Sequence, residues 1–304
     1  MTPHIKGILL KIAAITIFTV MMAIIKETSS EVPTGQQVFF RAFFTLVVIV
    51  GWLAARGDFP NALRTTRLTG HLSRGLAGAC AMSLRFFSLG VLTFPEVTAL
   101  GFTTPLVLTL LAAIMLGEVV RAFRLITVAL GFVGVLIILW PALSFGEDRT
   151  TLEMIGFAAI LGSASLAALA QIFVRKLVST ESTAQIVFYL SLTITVLSLF
   201  TIPFGWVMPS TNAFWLLVFA GVIGGVGQIC LTSSYRHAPA SVVAPFDYTS
   251  MLLALAIGWL WFSEIPTGWT VLGSLVIMGS GAVIVWREHQ LGKRMVNRDK
   301  QSQL

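Results

Sequence analysis

Charge is what this chain has least of. Only 11% of its 304 residues are Asp, Glu, Lys or Arg, against about 25% in an ordinary soluble domain. A water-soluble globule of that composition would turn a largely apolar surface to water, so lipid is the expected solvent for most of the molecule. Cysteine is scarce as well. Cys80 and Cys230 both fall inside apolar runs, which excludes a disulfide framework and a cysteine-based zinc site. Long polar stretches are missing too: no gap between apolar runs exceeds about 16 residues. That leaves no room for a soluble domain, a nucleotide-binding cassette or a catalytic head.

What is present is apolar and aromatic, with 56% hydrophobic residues, 22 Phe and eight Trp but only three Tyr. The apolar runs cover 7–25, 36–55, 71–90, 95–116, 122–140, 153–174, 185–207, 213–235, 241–263 and 268–286. Spans of about 20 residues suit the bilayer core, so an all-α membrane protein with ten transmembrane helices is expected. The first run lacks a small-residue cleavage site before polar sequence and reads as a retained helix.

Orientation follows from Lys and Arg, which stay on the cytoplasmic side. With the N-terminus inside, fifteen of the 20 basic residues fall in cytoplasmic segments, two (Lys26 and Arg149) fall outside, and Lys11, Arg41 and Arg85 lie within spans. Both termini are therefore expected in the cytoplasm, and the basic tail over 287–304 is expected to meet anionic lipid headgroups. No nucleic acid is needed to explain it.

The chain repeats itself. Gln36, Val38, Phe39 and Phe40 recur 149 residues later as Gln185, Val187, Phe188 and Tyr189, with Lys26 matching Arg175 at the same offset. Further along, the offset is 146: Val97 matches Val243, Thr104 matches Ser250, and Glu118 matches Glu264. Each copy holds five spans, over 7–140 and 153–286. An odd number inverts the second copy in the membrane, and inverted repeats are a transporter architecture with the substrate site near the midplane.

These residues carry a resemblance. EVTALGFTTP at 96–105, LGE at 116–118 and the Gly131/Gly134 span resemble the EamA repeat of the drug/metabolite transporter superfamily, as do SYRHAPASVVAPFDYTS at 234–250, Glu264 and Gly279/Gly281. Arg41, five residues into the second span, also matches the family's usual arginine. The resemblance implies a secondary transporter of the bacterial inner membrane moving a small organic metabolite by alternating access, with no cofactor and no metal. Members include amino-acid exporters, S-adenosylmethionine carriers and riboflavin carriers. Overall resemblance points to riboflavin uptake first, with export of amino acids or related metabolites as the alternative, or S-adenosylmethionine carriage.

A charge placed in a bilayer is a functional candidate by default. Lys11 is near a span end and is expected to snorkel. Arg41 and Arg85 sit in the outer halves of their spans; they either clamp an anionic or multiply hydrogen-bonded substrate or bond helix ends, with Arg85 also in reach of Glu96. Asp247 is the only acid in the interior of any span, Glu96 and Glu153 lying at span ends. It either couples protons or bonds the backbone groups that Pro245 leaves unpaired. Gln228 follows the run Gly221, Gly224, Gly225, Gly227 and either joins helices or binds ligand. Phe39, Phe40 and Tyr248 either pack against helices and lipid or stack on a flat substrate. Pro105 and Pro245 occupy near-equivalent places and act as gating hinges or as static kinks.

An intramembrane enzyme would need paired carboxylates, a metal cluster or a Ser/His pair at one depth, and Asp247 has no His beside it in a span. A channel would be expected to carry rings of charge or filter carbonyls. A carrier is the expected class.

Overall fold

A chain in lipid must satisfy its backbone internally, which turns apolar runs into helices. The computed structural model describes residues 3–57, 64–117, 122–143, 150–177, 180–238 and 243–283. Among these the runs become ten helices with no strand. They are α1 (Pro3–Thr28), α2 (Thr34–Arg56), α3 (Leu68–Val91), α4 in two pieces (α4a, Phe94–Gly101; α4b, Thr103–Leu116) and α5 (Ala122–Leu143). The second set is α6 (Thr151–Leu177), α7 (Thr183–Leu199), α8 (Thr211–His237), α9 (Thr249–Phe262) and α10 (Gly268–Val283). By length and composition α1, α2, α4, α6 and α8 can each cross a membrane. Large apolar side chains such as Ile114, Ile126, Trp215 and Leu260 face outward, as lipid contact requires. Glu118 and the basic segment after Trp286 lie outside the described residues.

Helix ends follow local chemistry. Thr93 and Glu96 form a capping box at the start of α4a, and Ser182 and Gln185 do the same for α7. Gly57 and Gly117 close α2 and α4b in the left-handed region that glycine adopts without strain. The seventh apolar run is expected to continue to 207. The helix instead ends at Leu199, and Pro203, Gly205 and Pro209 turn the next stretch of chain into a link despite its apolar residues.

Packing rests on small residues, since lipid supplies no hydrophobic force between helices. The glycine run of α8 is a packing surface: Gly221 and Gly225 face Phe44 and Val48 of α2, and Gly224 and Gly227 face Met21 and Phe18 of α1. A Cβ on Gly221 would lie 2.5 Å from Phe44 Cβ. Where α5 crosses α10, a Cβ on Gly273 would lie 2.5 Å from the Gly134 carbonyl oxygen.

Contacts also repeat between the halves. α1 packs chiefly on α8 and α3 on α6, and these are equivalent pairs under the repeat. Gln36 Nε2 donates to the Val207 carbonyl at 2.9 Å and Oε1 accepts from Val207 N–H at 3.1 Å, while the Ser210 hydroxyl donates to Glu31 at 2.9 Å. Its counterpart Gln185 donates to the Arg64 carbonyl, and Glu181 accepts from the Thr65 hydroxyl at 2.9 Å. One clasp thus ties the α1–α2 link to the α7–α8 link, and the other ties α6–α7 to α2–α3. Finally, Phe102 and Tyr248, 146 residues apart, touch with ring centroids 5.4 Å apart. Equivalent residues in contact place the pseudo-two-fold axis between those rings.

Candidate functional site

The axis passes where both halves break a helix. α4 is interrupted between Gly101 and Thr103, and Pro105 sits in the first turn of α4b. A proline there has no N–H to donate to the Gly101 carbonyl, so the break precedes it. In the other half the 3₁₀ turn Ala244–Tyr248, with Pro245 in its first turn, leads into α9. Non-helical backbone at membrane depth occurs where it is buried in protein or lines a cavity. Discontinuous helices are where carriers bind their substrates.

Charge gathers at these breaks. Asp247 Oδ1 lies 2.7 Å from Lys11 Nζ, with the Lys11 side chain 2% exposed and Asp247 46% exposed. Snorkelling was the expectation for Lys11; α1 carries it instead into the bundle, where an acid from the other half balances it. Ser250 donates its hydroxyl to the Asp247 carbonyl at 2.7 Å. The Tyr248 hydroxyl lies against Gly281 of α10, where any Cβ would collide with it. On the other side of the axis, the Arg85 guanidinium fills the space that the missing side chain of Gly101 leaves. No acid or carbonyl among the described residues pairs with it, because Glu96 turns to the Thr93 N–H and hydroxyl at 3.1 and 2.8 Å. The Thr103 hydroxyl beside the break is buried with no hydrogen-bond partner. A cation and a hydroxyl left without partners inside a bundle have donors available for a ligand.

The sequence-derived candidates therefore separate into two places. Arg85, Asp247, Tyr248 and the two prolines meet at the breaks. Phe39 and Phe40 belong to an aromatic cluster with Phe43, Trp206 and Phe214. Phe40, Trp206 and Phe214 border a recess of about 470 Å³ with Gln36 and Met208. Arg41 lies against the glycine run of α8, its Nε buried without a partner and 3.8 Å from where a Gly224 Cβ would stand. Gln228 is half-buried one residue beyond Gly227, where α8 meets Phe18 of α1. Sequence reasoning passed over Lys11, Phe102 and Thr103 as site residues. The 146 offset, extended by a few positions, sets Phe102 opposite Tyr248 and was the available signal.

The arrangement matches a known family in sequence as well. The profile described as the EamA-like transporter family matches residues 5–140 and 154–286. The chain belongs to the EamA-like transporter family. Within it, the chain is 31% identical over 280 residues to the pseudopaline exporter of Pseudomonas aeruginosa, covering 90% of this chain and 93% of that one. It is 29% identical over 296 residues to a riboflavin transporter of Vibrio cholerae, covering 96% and 97%. It is 27% identical over 278 residues to an S-adenosylmethionine uptake transporter of Rickettsia conorii, covering 91% and 90%. A solved crystal structure 21% identical shares the fold, with a TM-score of 0.66 over 94% of this chain and 98% of that one. An EamA-family chain is a multi-pass membrane transporter of small metabolites and not an enzyme, and its relatives differ in what they carry.

Proposed function

We propose that this EamA-family chain is a secondary carrier of the bacterial inner membrane that takes up riboflavin by alternating access between its two five-helix halves. The observation that carries the substrate is the charge balance at the broken helices. Asp247 is already matched by Lys11 at 2.7 Å, whereas the Arg85 guanidinium lies against Gly101, next in sequence to Phe102, and the Thr103 hydroxyl is buried without a hydrogen-bond partner, close to the Phe102–Tyr248 ring contact. A site of that kind suits a flat, uncharged molecule rich in hydrogen-bond acceptors. A flavin ring can stack on Phe102 or Tyr248, and its carbonyl edge can accept from the planar guanidinium fork. The relative from Vibrio cholerae, named a riboflavin transporter and of matching length, supports the same choice. Both termini lie in the cytoplasm in this reading, with the basic tail against anionic lipid. The clasps then tie opposite faces, and each must loosen in turn for the site between the halves to open.

A second reading, an exporter of amino-acid metabolites or an S-adenosylmethionine carrier, is favoured by one feature. Asp247 is half-exposed, so its carboxylate can meet a substrate cation. The test is accumulation of labelled riboflavin in a riboflavin auxotroph expressing the chain. Several-fold accumulation over empty vector is expected, and its loss in Arg85→Ala. No accumulation overturns the riboflavin reading, and accumulation of labelled S-adenosylmethionine in its place establishes the second.

A further inference from the structure

We infer that Lys11 is a specificity-determining residue: by holding Asp247 it sets the charge that the substrate site accepts, so that an uncharged heterocycle is taken and cationic or anionic analogues are refused. The inference rests on the proposed riboflavin site and names what tunes it.

The repeat supplies the argument. In the first half the position equivalent to Asp247, 146 residues earlier, is Gly101; in the second half the position equivalent to Lys11, 149 residues later, is Ile160. Ile160 is completely buried within α6. The scaffold is therefore built once with an apolar residue and a glycine at these two places, and once with an ion pair. A buried ion pair is no better for stability than well-packed apolar residues, and charges inside membrane segments are costly wherever they are placed. Folding alone gives no reason for one of these two equivalent cross-half pairs to carry charge and the other not. The geometry gives a functional one: Lys11 comes from α1 of one half and Asp247 from the entry to α9 of the other, next to Tyr248 on the axis. The lysine is buried at 2% exposure while the acid stays 46% exposed. Lys11 consequently acts from behind, and the carboxylate is the atom group that meets a ligand. With Lys11 in place that carboxylate has no unmet demand for a cation. Without it, the same carboxylate recruits one.

Three flavin-sized or heterocyclic probes of different charge test this in purified protein: riboflavin (uncharged), flavin mononucleotide (anionic) and S-adenosylmethionine (cationic at its sulfonium and amine). Riboflavin binding is read by quenching of flavin fluorescence, and the others by competition. The wild-type protein should prefer riboflavin. Lys11→Met should improve competition by S-adenosylmethionine at least ten-fold, and Asp247→Asn should do the same for flavin mononucleotide. Lys11→Arg, which keeps the charge, should keep the wild-type ranking, a result that a purely packing role does not predict alongside the Met variant's switch. Should Lys11→Met fail to reach the membrane, the double variant Lys11→Met/Asp247→Asn decides, since it strands neither charge: it should admit flavin mononucleotide as Asp247→Asn does, without the gain in S-adenosylmethionine. Wild-type protein that binds riboflavin while every variant keeps its ranking overturns the inference and leaves the proposed function standing. Wild-type protein that binds no riboflavin, or prefers S-adenosylmethionine, overturns both.

Discussion

The two halves break the same helix at the same place and line the breaks with different chemistry. At the first break Gly101 leaves space that the Arg85 guanidinium occupies, with no acid among the described residues to answer it. At the second, Asp247 stands in the position of Gly101 and Lys11 crosses from the other half to meet it. The backbone is duplicated and the charges are not. Alternating access asks for symmetry, because the two faces must open by related movements. A small metabolite has no two-fold axis, so the residues that recognise it have to depart from the repeat. In the proposed carrier, the departures from pseudo-symmetry are accordingly the positions assigned to recognition.

The largest effect should come from deleting the cationic end of that asymmetry. Arg85→Ala is expected to lower riboflavin uptake at least ten-fold while the purified protein melts at the same temperature or higher. An unpartnered cation inside the bundle works against folding, so removing it relieves the fold while it empties the site. Uptake into vesicles and thermal unfolding in detergent, measured on the same preparation, check both halves of the statement. Loss of folded protein in step with loss of uptake would make Arg85 a structural residue.

A smaller effect is expected where the second break is held in place. The Tyr248 hydroxyl lies against Gly281, and a methyl group there has no room. Gly281→Ala should push the ring off the axis and weaken riboflavin binding about three- to ten-fold, a loss of about 0.7–1.4 kcal/mol. Combining it with Tyr248→Phe, which removes the colliding oxygen, should recover part of that loss. Gly279 in the same helix has nothing within 4 Å of its missing side chain, and Gly279→Ala should leave binding unchanged. Equal effects of the two alanines would remove Tyr248 from the site.

Fold and site differ in how much of each is legible in the sequence. Ten helices, two copies and a break near Pro105 and Pro245 come from run length, the 149 and 146 offsets and the missing proline N–H, all local or periodic signals. The end of α7 at Leu199 is legible only in part: Pro203, Gly205 and Pro209 mark a link, but Trp206, Val207 and Met208 are as apolar as a span. They are held in a link by Gln36, 171 residues away in sequence from Val207. Lys11 misleads for a related reason. A lysine near a span end snorkels when it faces lipid, and only the packing of α1 beside the entry to α9 turns it inward to Asp247. Phe39 and Phe40, near Arg41 in sequence, pack instead on Trp206 and Phe214, and Phe40 borders a different recess. Sequence neighbours on a helix point in different directions, so adjacency to a charge carries little information about shared function.

The smallest effects should fall where the halves agree. Gln36 and Gln185 are equivalent residues doing equivalent work, each reaching from one link to the backbone of another. Gln36→Ala and Gln185→Ala should each cost about 1 kcal/mol of stability, the usual net worth of such hydrogen bonds. The backbone groups they release sit in links at the ends of the bundle, where water can satisfy them, so no buried donor is stranded. The two clasps join separate pairs of links and share no residue, so the double variant should show the sum of the single losses. Thermal or denaturant unfolding of the four proteins measures this directly. A strongly unequal pair of losses would mean that the clasps are alike in geometry but not in energy, and the contrast between a symmetric scaffold and an asymmetric site would have to be redrawn at the links as well.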